Sequence, residues 1–178
     1  MGSGIEYEAK LLDVDPEAMA ALILDRGGHR VGEALQRRLV YDITPGDPGR
    51  WLRLRDDGTT VTLAVKEIAH DGIDGTTETE VVVGDFDTTR VLLAKLGHTA
   101  RSYQENRRAS FTLGGAALEI DSWPLIPPYL EIEAHDAGTV HRAARLLGVD
   151  PAALTGENTV EVYRRHGIDL AAIAHLTF

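Results

Sequence analysis

From Ile5 to Leu12 apolar and charged positions alternate, with Ile5, Tyr7, Ala9 and Leu11 set against Glu6, Glu8 and Lys10. A period of two predicts a strand with one apolar face. The same period recurs at Arg37 to Ile43, Trp51 to Arg55, Thr60 to Glu67, Thr77 to Val83, Arg101 to Leu113, Ala117 to Asp121 and Tyr129 to Ala134. Asp56-Asp57-Gly58-Thr59 and Gly114-Gly115 read as hairpin turns. Helical spacing intervenes three times. Asp15 and Pro16 open a helix that ends near Gly27-Gly28, Asp87 to Leu96 is closed by Gly97, and Gly138 to Leu147 leads into a segment helical from Pro151 to Arg165. Glu67 to Thr76, with Gly72 and Gly75, reads as a mobile loop. About eight strands is the number at which a closed barrel first encloses a small ligand.

The polar faces carry the chemistry. Residues two apart on a strand share a face, so Glu6, Glu8 and Lys10 point together, as do Trp51, Arg53 and Arg55. Lys66 follows Thr62 and Ala64, and acidic pairs stand at Glu78/Glu80, Glu119/Asp121 and Glu131/Glu133. A sheet with one wet side also alternates, so any single strand is compatible with charges facing water. Like charges repeated at i, i+2 on several strands instead suggest one enclosed space. There carboxylates need a cation, and Arg and Lys suit phosphate oxygens. Hard oxygen donors fit Mg²⁺ or Mn²⁺.

Composition narrows the classes. The chain has 178 residues, 43% hydrophobic and 26% charged, consistent with one globular domain over 1–178. A net charge of −10 disfavours nucleic acid as a partner, and any bound polyanion needs local positive charge or metal. The absence of cysteine excludes disulfides and thiolate metal sites. With no long apolar run and no signal-peptide pattern, the expectation is a cytoplasmic protein that does not engage membranes. The seven histidines show no metal-type clustering; His135, next to the last strand, stands where it could approach a tunnel mouth.

Glu6-Tyr7-Glu8-Ala9-Lys10 resembles the ExExK motif of the CYTH family, the triphosphate tunnel metalloenzymes. In order along the chain, Leu52-Arg53-Leu54-Arg55, Leu63-Ala64-Val65-Lys66, Glu78-Thr79-Glu80, Asn106-Arg107-Arg108, Leu118-Glu119-Ile120-Asp121 and Leu130-Glu131-Ile132-Glu133 resemble its later strands. The resemblance implies an α+β fold, an eight-stranded antiparallel tunnel with helices outside. It also implies site residues. Lys10, Arg53, Arg55, Lys66 and Arg108 would hold the triphosphate, and Glu6, Glu8, Glu131 and Glu133 would bind Mg²⁺ or Mn²⁺. Glu80 and Asp121 would complete a metal shell or position water, and Lys10 would act as acid, base or clamp. Glu78 and Glu119 are weaker candidates. Arg108 is assigned inward by parity and Arg107 outward. Asn106 departs from the family, which often has a basic residue there.

The implied activity is metal-dependent hydrolysis of tripolyphosphate, a nucleoside triphosphate or thiamine triphosphate. The alternatives are a class IV adenylate cyclase and a binding module without turnover. Homodimers are common among similar proteins. Trp51 reads as packing or as a stacking platform for a base, and Trp123 likewise. Tyr163 caps the tunnel or packs its helix on the barrel.

Overall fold

A computed structural model describes residues 3–178; positions 1 and 2 of the expected domain lie outside the described residues. Among the described residues there are nine strands and four α-helices: β1 (Ser3–Leu11), α1 (Pro16–Asp25), β2 (His29–Asp42), β3 (Arg50–Asp56), β4 (Val61–Ile68), β5 (Thr76–Val83), α2 (Phe86–Lys95), β6 (Ala100–Leu113), β7 (Ala116–Ser122), β8 (Tyr129–Ala134), α3 (Ala137–Leu146), α4 (Thr159–Arg165) and β9 (His175–Leu176). The strands run in the order β2-β3-β4-β5-β1-β8-β7-β6, and β2 pairs with β6 to close the ring. All eight ring pairings are antiparallel, and β9 adds a short parallel pairing to β6. The fold is the α+β barrel expected.

Local chemistry sets the element ends. Asp15, Asp85, Asp136 and Asn158 each cap a helix by accepting from a backbone N–H two or three residues on. Gly114 and Gly115, with φ of 61° and 88°, make the tight β6–β7 turn that other residues enter at a cost.

Two apolar clusters lie outside the lumen and a third closes against one end of it. One packs α1 and α3 against the outer faces of β1 and β6–β8, through residues such as Ile23, Leu118, Ile132 and Val140. A second joins Phe86 and Leu93 of α2 to Leu39, Tyr41, Leu52 and Leu54 of β2 and β3. The third covers one end, where Val162 and Tyr163 of α4 meet Trp123, Tyr129 and Leu170. Tyr163 donates to the Pro124 carbonyl at 2.7 Å and meets the Trp123 ring edge-on, so it packs its helix against the barrel and does not itself line the cavity. No helix among the described residues is long and apolar enough to cross a membrane.

Three expectations are corrected. β2 begins at His29, not Arg37; its first half pairs with β6 alone and is mostly exposed, so it lacks the alternation of a half-buried strand. The segment from Pro151 to Arg165 is not one helix. After a 3-10 turn at Pro151–Ala153 the chain extends, and Thr155 exchanges backbone hydrogen bonds with Lys10 at 2.7 and 2.9 Å. The expected mobile loop is tied down: Ile73 packs on the first cluster and its carbonyl accepts from the Glu8 N–H at 2.9 Å. Both contacts have one cause. β1 pairs with β5 only from Ser3 to Glu6 and with β8 only from Tyr7 to Leu11, so the amides of Glu8 and Lys10 need partners elsewhere.

Candidate active site

The inward positions of the ring line a cavity of about 990 Å³. Glu6, Glu8, Lys10, Arg53, Arg55, Lys66, Glu80, Arg108, Asp121, Glu131 and Glu133 all line it, as does Glu78. The reading in which these charges face open water therefore fails. Register explains the convergence: Glu8 stands opposite Glu133, Lys10 opposite Glu131, Lys66 opposite Glu78 and Arg108 opposite Asp121.

Opposite charges are interleaved. The Lys10 side chain is 1% exposed, and its Nζ lies 2.9 Å from Glu8 Oε1 and 3.2 Å from Glu131 Oε2. Lys66 Nζ lies 2.9 Å from Glu6 and 3.2 Å from Glu78. Arg53 donates to Glu78 at 2.7 Å and to Glu80 at 3.2 Å, and Arg55 donates to Glu80 at 3.3 Å. Arg108 grips Asp121 bidentately at 2.8 and 2.5 Å and reaches Glu131 at 3.1 Å. Asp121 also accepts from the Asn106 amide at 2.9 Å, so both of its oxygens are engaged and it orients Arg108.

The neighbours set the protonation states. Burial alone would lower the Lys10 ammonium, but Glu8 and Glu131 outweigh it and hold Lys10 above the usual lysine value. Burial would raise Glu131, but Lys10 and Arg108 hold it well below the carboxylate range. Glu133 is pushed up by burial and by the negative charges of Glu131 and Glu8. Burial and a hydrogen bond to Glu78 push Glu6 up to about 8, against the pull of Lys66. Glu78, although buried, is held down by that bond and by Arg53 and Lys66.

This surplus of carboxylate on β1 and β8 tests the fit to a divalent cation. Carboxylates whose charge burial disfavours, as at Glu6 and Glu133, are hard oxygen donors that suit Mg²⁺ or Mn²⁺. Among the described residues no three acidic or histidine side chains stand preassembled as a metal cluster, because Lys10, Lys66 and Arg108 draw the carboxylates toward themselves.

Other candidates fall elsewhere. Glu119 accepts from Ser110 at 2.5 Å and stands 3.9 Å from Arg108. Arg107 points outward, its guanidinium 4.4 Å from the Phe178 ring. His135 is exposed and pairs with Asp136 at 2.8 Å rather than lining the cavity. Trp51 and Trp123 both line it. Glu78, a weaker candidate on sequence, bridges Arg53 and Lys66, and Arg38, which sequence reasoning passed over, is buried in the lumen. The parity of Arg38 with Gln36 and Val40 is the signal that could have found it.

No family model and no curated protein matches the chain. Solved structures do. The PH1012 protein of Pyrococcus horikoshii shares 21% identity at a TM-score of 0.74, over 88% of this chain and 98% of that one. A candidate adenylate cyclase of Vibrio parahaemolyticus shares 15% at 0.74, over 90% and 98%. A candidate adenylyl cyclase of Hippeastrum, described as having a dominant triphosphatase activity, shares 17% at 0.58, over 95% and 100%. At these identities the likeness is one of fold, and the fold is the eight-stranded barrel that the resemblance to the CYTH family implies.

Proposed function

We propose that the chain is a divalent-metal-dependent triphosphatase that holds a small triphosphate compound inside the barrel. The supporting observation is the convergence of Lys10, Lys66, Arg53, Arg55 and Arg108 with seven carboxylates on one cavity of about 990 Å³. A pure anion binder gains nothing from so many carboxylates. The internal ion pairs act as placeholders. When a triphosphate enters with its cation, phosphate oxygens replace carboxylate oxygens around the arginines and lysines. Glu6, Glu8 and Glu131 would then be released from their ion pairs and, with Glu133, would hold Mg²⁺ or Mn²⁺. Such an exchange gives each buried charge a partner of opposite sign, which burial demands.

The bound cation would neutralise developing charge on the phosphate oxygens. Arg53 and Arg55 hold the chain for in-line attack. Lys10 stays protonated and serves as a clamp on phosphate oxygen, since an ammonium must lose its proton before it can act as a base. Glu80, 30% exposed and held by two arginines, is the group we assign to orient water and take its proton. The water oxygen bonds to the terminal phosphorus as the bridging P–O bond breaks, giving orthophosphate and the shortened chain.

A second reading is favoured by the fold neighbours named as candidate adenylate cyclases. In that reading the same cage holds ATP, the 3′-hydroxyl attacks the α-phosphorus and pyrophosphate leaves. Incubation with Mg²⁺ or Mn²⁺ and, separately, tripolyphosphate, ATP or thiamine triphosphate tests both. Orthophosphate release supports hydrolysis, and cyclic AMP with pyrophosphate supports cyclisation. Tight binding without product leaves a binding module, and absence of binding refutes the proposal.

A further inference from the structure

Each of the five assigned tunnel cations has a carboxylate partner: Lys10 has Glu8 and Glu131, Arg53 has Glu78 and Glu80, Arg55 has Glu80, Lys66 has Glu6 and Glu78, and Arg108 has Asp121 and Glu131. Arg38 on β2 is different. It is 8% exposed and lines the same cavity, yet among the described residues no carboxylate lies within 4 Å of it. Its partners are neutral: Nη2 donates to Gln36 at 3.2 Å and to the Asn106 carbonyl oxygen, and the guanidinium stacks 4.5 Å from the Trp123 ring. Its Nε–H is buried without an acceptor, as are those of Arg53 and Arg55 on the adjoining strand. The register sets Arg38 directly opposite Arg55.

A buried guanidinium with other guanidinium groups nearby and no anion in contact is costly unless an anion joins them. Burial and the charges of Arg53 and Arg108 push Arg38 down to about 9, so it is still cationic at neutral pH. Asn106 makes the arrangement tolerable. Its carbonyl oxygen faces Arg38 and its amide faces Asp121, which passes part of the Asp121 charge toward Arg38 without an ion pair. A lysine or arginine at position 106 would instead add a further cation beside Arg38.

We propose that Arg38 is a further substrate-binding residue, contacting triphosphate oxygens on the wall of the barrel that faces β1 and β8. This inference rests on the triphosphatase reading and adds to it the group that binds the part of the chain remote from the cation. β2 and β3 lie across the ring from β1 and β8. Arg38 thus holds phosphate oxygens where Glu6, Glu8, Glu131 and Glu133 do not reach, with Arg55 as its immediate neighbour. A guanidinium fork suits two oxygens of one phosphate, and the Trp123 face fixes the plane of the fork.

The test uses inorganic tripolyphosphate as the probe. Phosphate release is measured with Mg²⁺, and binding is measured by calorimetry with EDTA present. Arg38→Gln is expected to raise KM about 10- to 100-fold, with a smaller fall in kcat, because contact with the part that is not transferred is uniform binding. The double variant R38Q/N106R returns the charge from the neighbouring strand and is expected to recover at least tenfold of the lost affinity, a rescue that a packing role for Arg38 would not give. Urea midpoints establish that each variant is folded. If Arg38→Gln does not fold, Arg38→Lys replaces it, keeping the charge and losing the fork, with an expected rise in KM of about threefold or more. An unchanged KM in a folded variant, or no rescue by the double variant, overturns this inference alone. Failure of the unsubstituted protein to bind or hydrolyse any of the three triphosphates overturns the triphosphatase reading and this inference with it.

Discussion

Replacing Lys10 by Met removes the most buried cation of the tunnel while keeping a side chain of similar length. Two carboxylates are left behind, Glu8 with 13% and Glu131 with 10% of their side chains exposed. Breaking a buried ion pair from one side costs about 3–5 kcal/mol, chiefly through the charge left unpaired. Arg108 still reaches Glu131 at 3.1 Å, so Lys10→Met is expected near the lower end, about 3 kcal/mol at pH 7.5. The sign of its pH dependence follows from Glu131. In the unsubstituted protein this carboxylate is held below its unfolded value of about 4.3, so it stabilises the fold above that pH and the contribution fades as pH falls through the folded value. Without Lys10, burial raises Glu131 instead, and the penalty is relieved once pH drops far enough to protonate it. The gap between the two proteins should therefore be widest at pH 7–8 and should narrow toward pH 4–5. Urea denaturation at pH 7.5 and 5.0 with EDTA reads it directly. A gap below about 1 kcal/mol at pH 7.5, or one that does not change with pH, would refute the ion-pair reasoning.

Three other outcomes are expected. Glu133→Gln should be at least as stable as the unsubstituted protein at pH 8 without metal, since it relieves the repulsion from Glu131 and Glu8, yet lose metal-dependent turnover by about tenfold or more; unchanged turnover would show that Glu133 is not a ligand. Arg53→Ala should weaken tripolyphosphate binding about 10- to 100-fold and leave Mn²⁺ binding within about threefold, as titration of each would show. Glu6 and Glu133 bind protons more tightly folded than unfolded, so metal-free protein should lose stability as pH rises from about 4.3 through about 8, and Mg²⁺ should raise the melting temperature more at pH 8.5 than at pH 5.5. Equal shifts at both pH values would contradict the carboxylate assignment.

Much of the wall was legible because a strand has a period of two. Once Glu6 and Glu8 were set inward, Lys10 had to follow, and the same parity fixed Arg53/Arg55, Glu131/Glu133 and Arg108 over Arg107. Arg38 escaped because it follows Arg37, whose guanidinium lies outside over the Phe86 ring; adjacent arginines hide alternation. The start of β2 was illegible for a related reason, since a strand paired on one edge and wet on both faces writes no apolar period. Ion-pair choice was beyond reach as well. Which carboxylate meets Lys66 depends on register across β4, β5 and β1, which no single segment encodes.

The split pairing of β1 bears on how the molecule assembles. Its second half joins β8, matching Tyr7 with Ala134, so the first strand made must wait for the last strand of the ring before the circle can close. Ring closure of that kind is slow because distant segments must meet before their contacts reward them. The strand that waits is the one bearing Glu6, Glu8 and Lys10. A nascent or partly folded chain therefore has no acidic wall and no enclosed charge, and the charged cavity on which the proposed function rests arises in the same event that completes the fold.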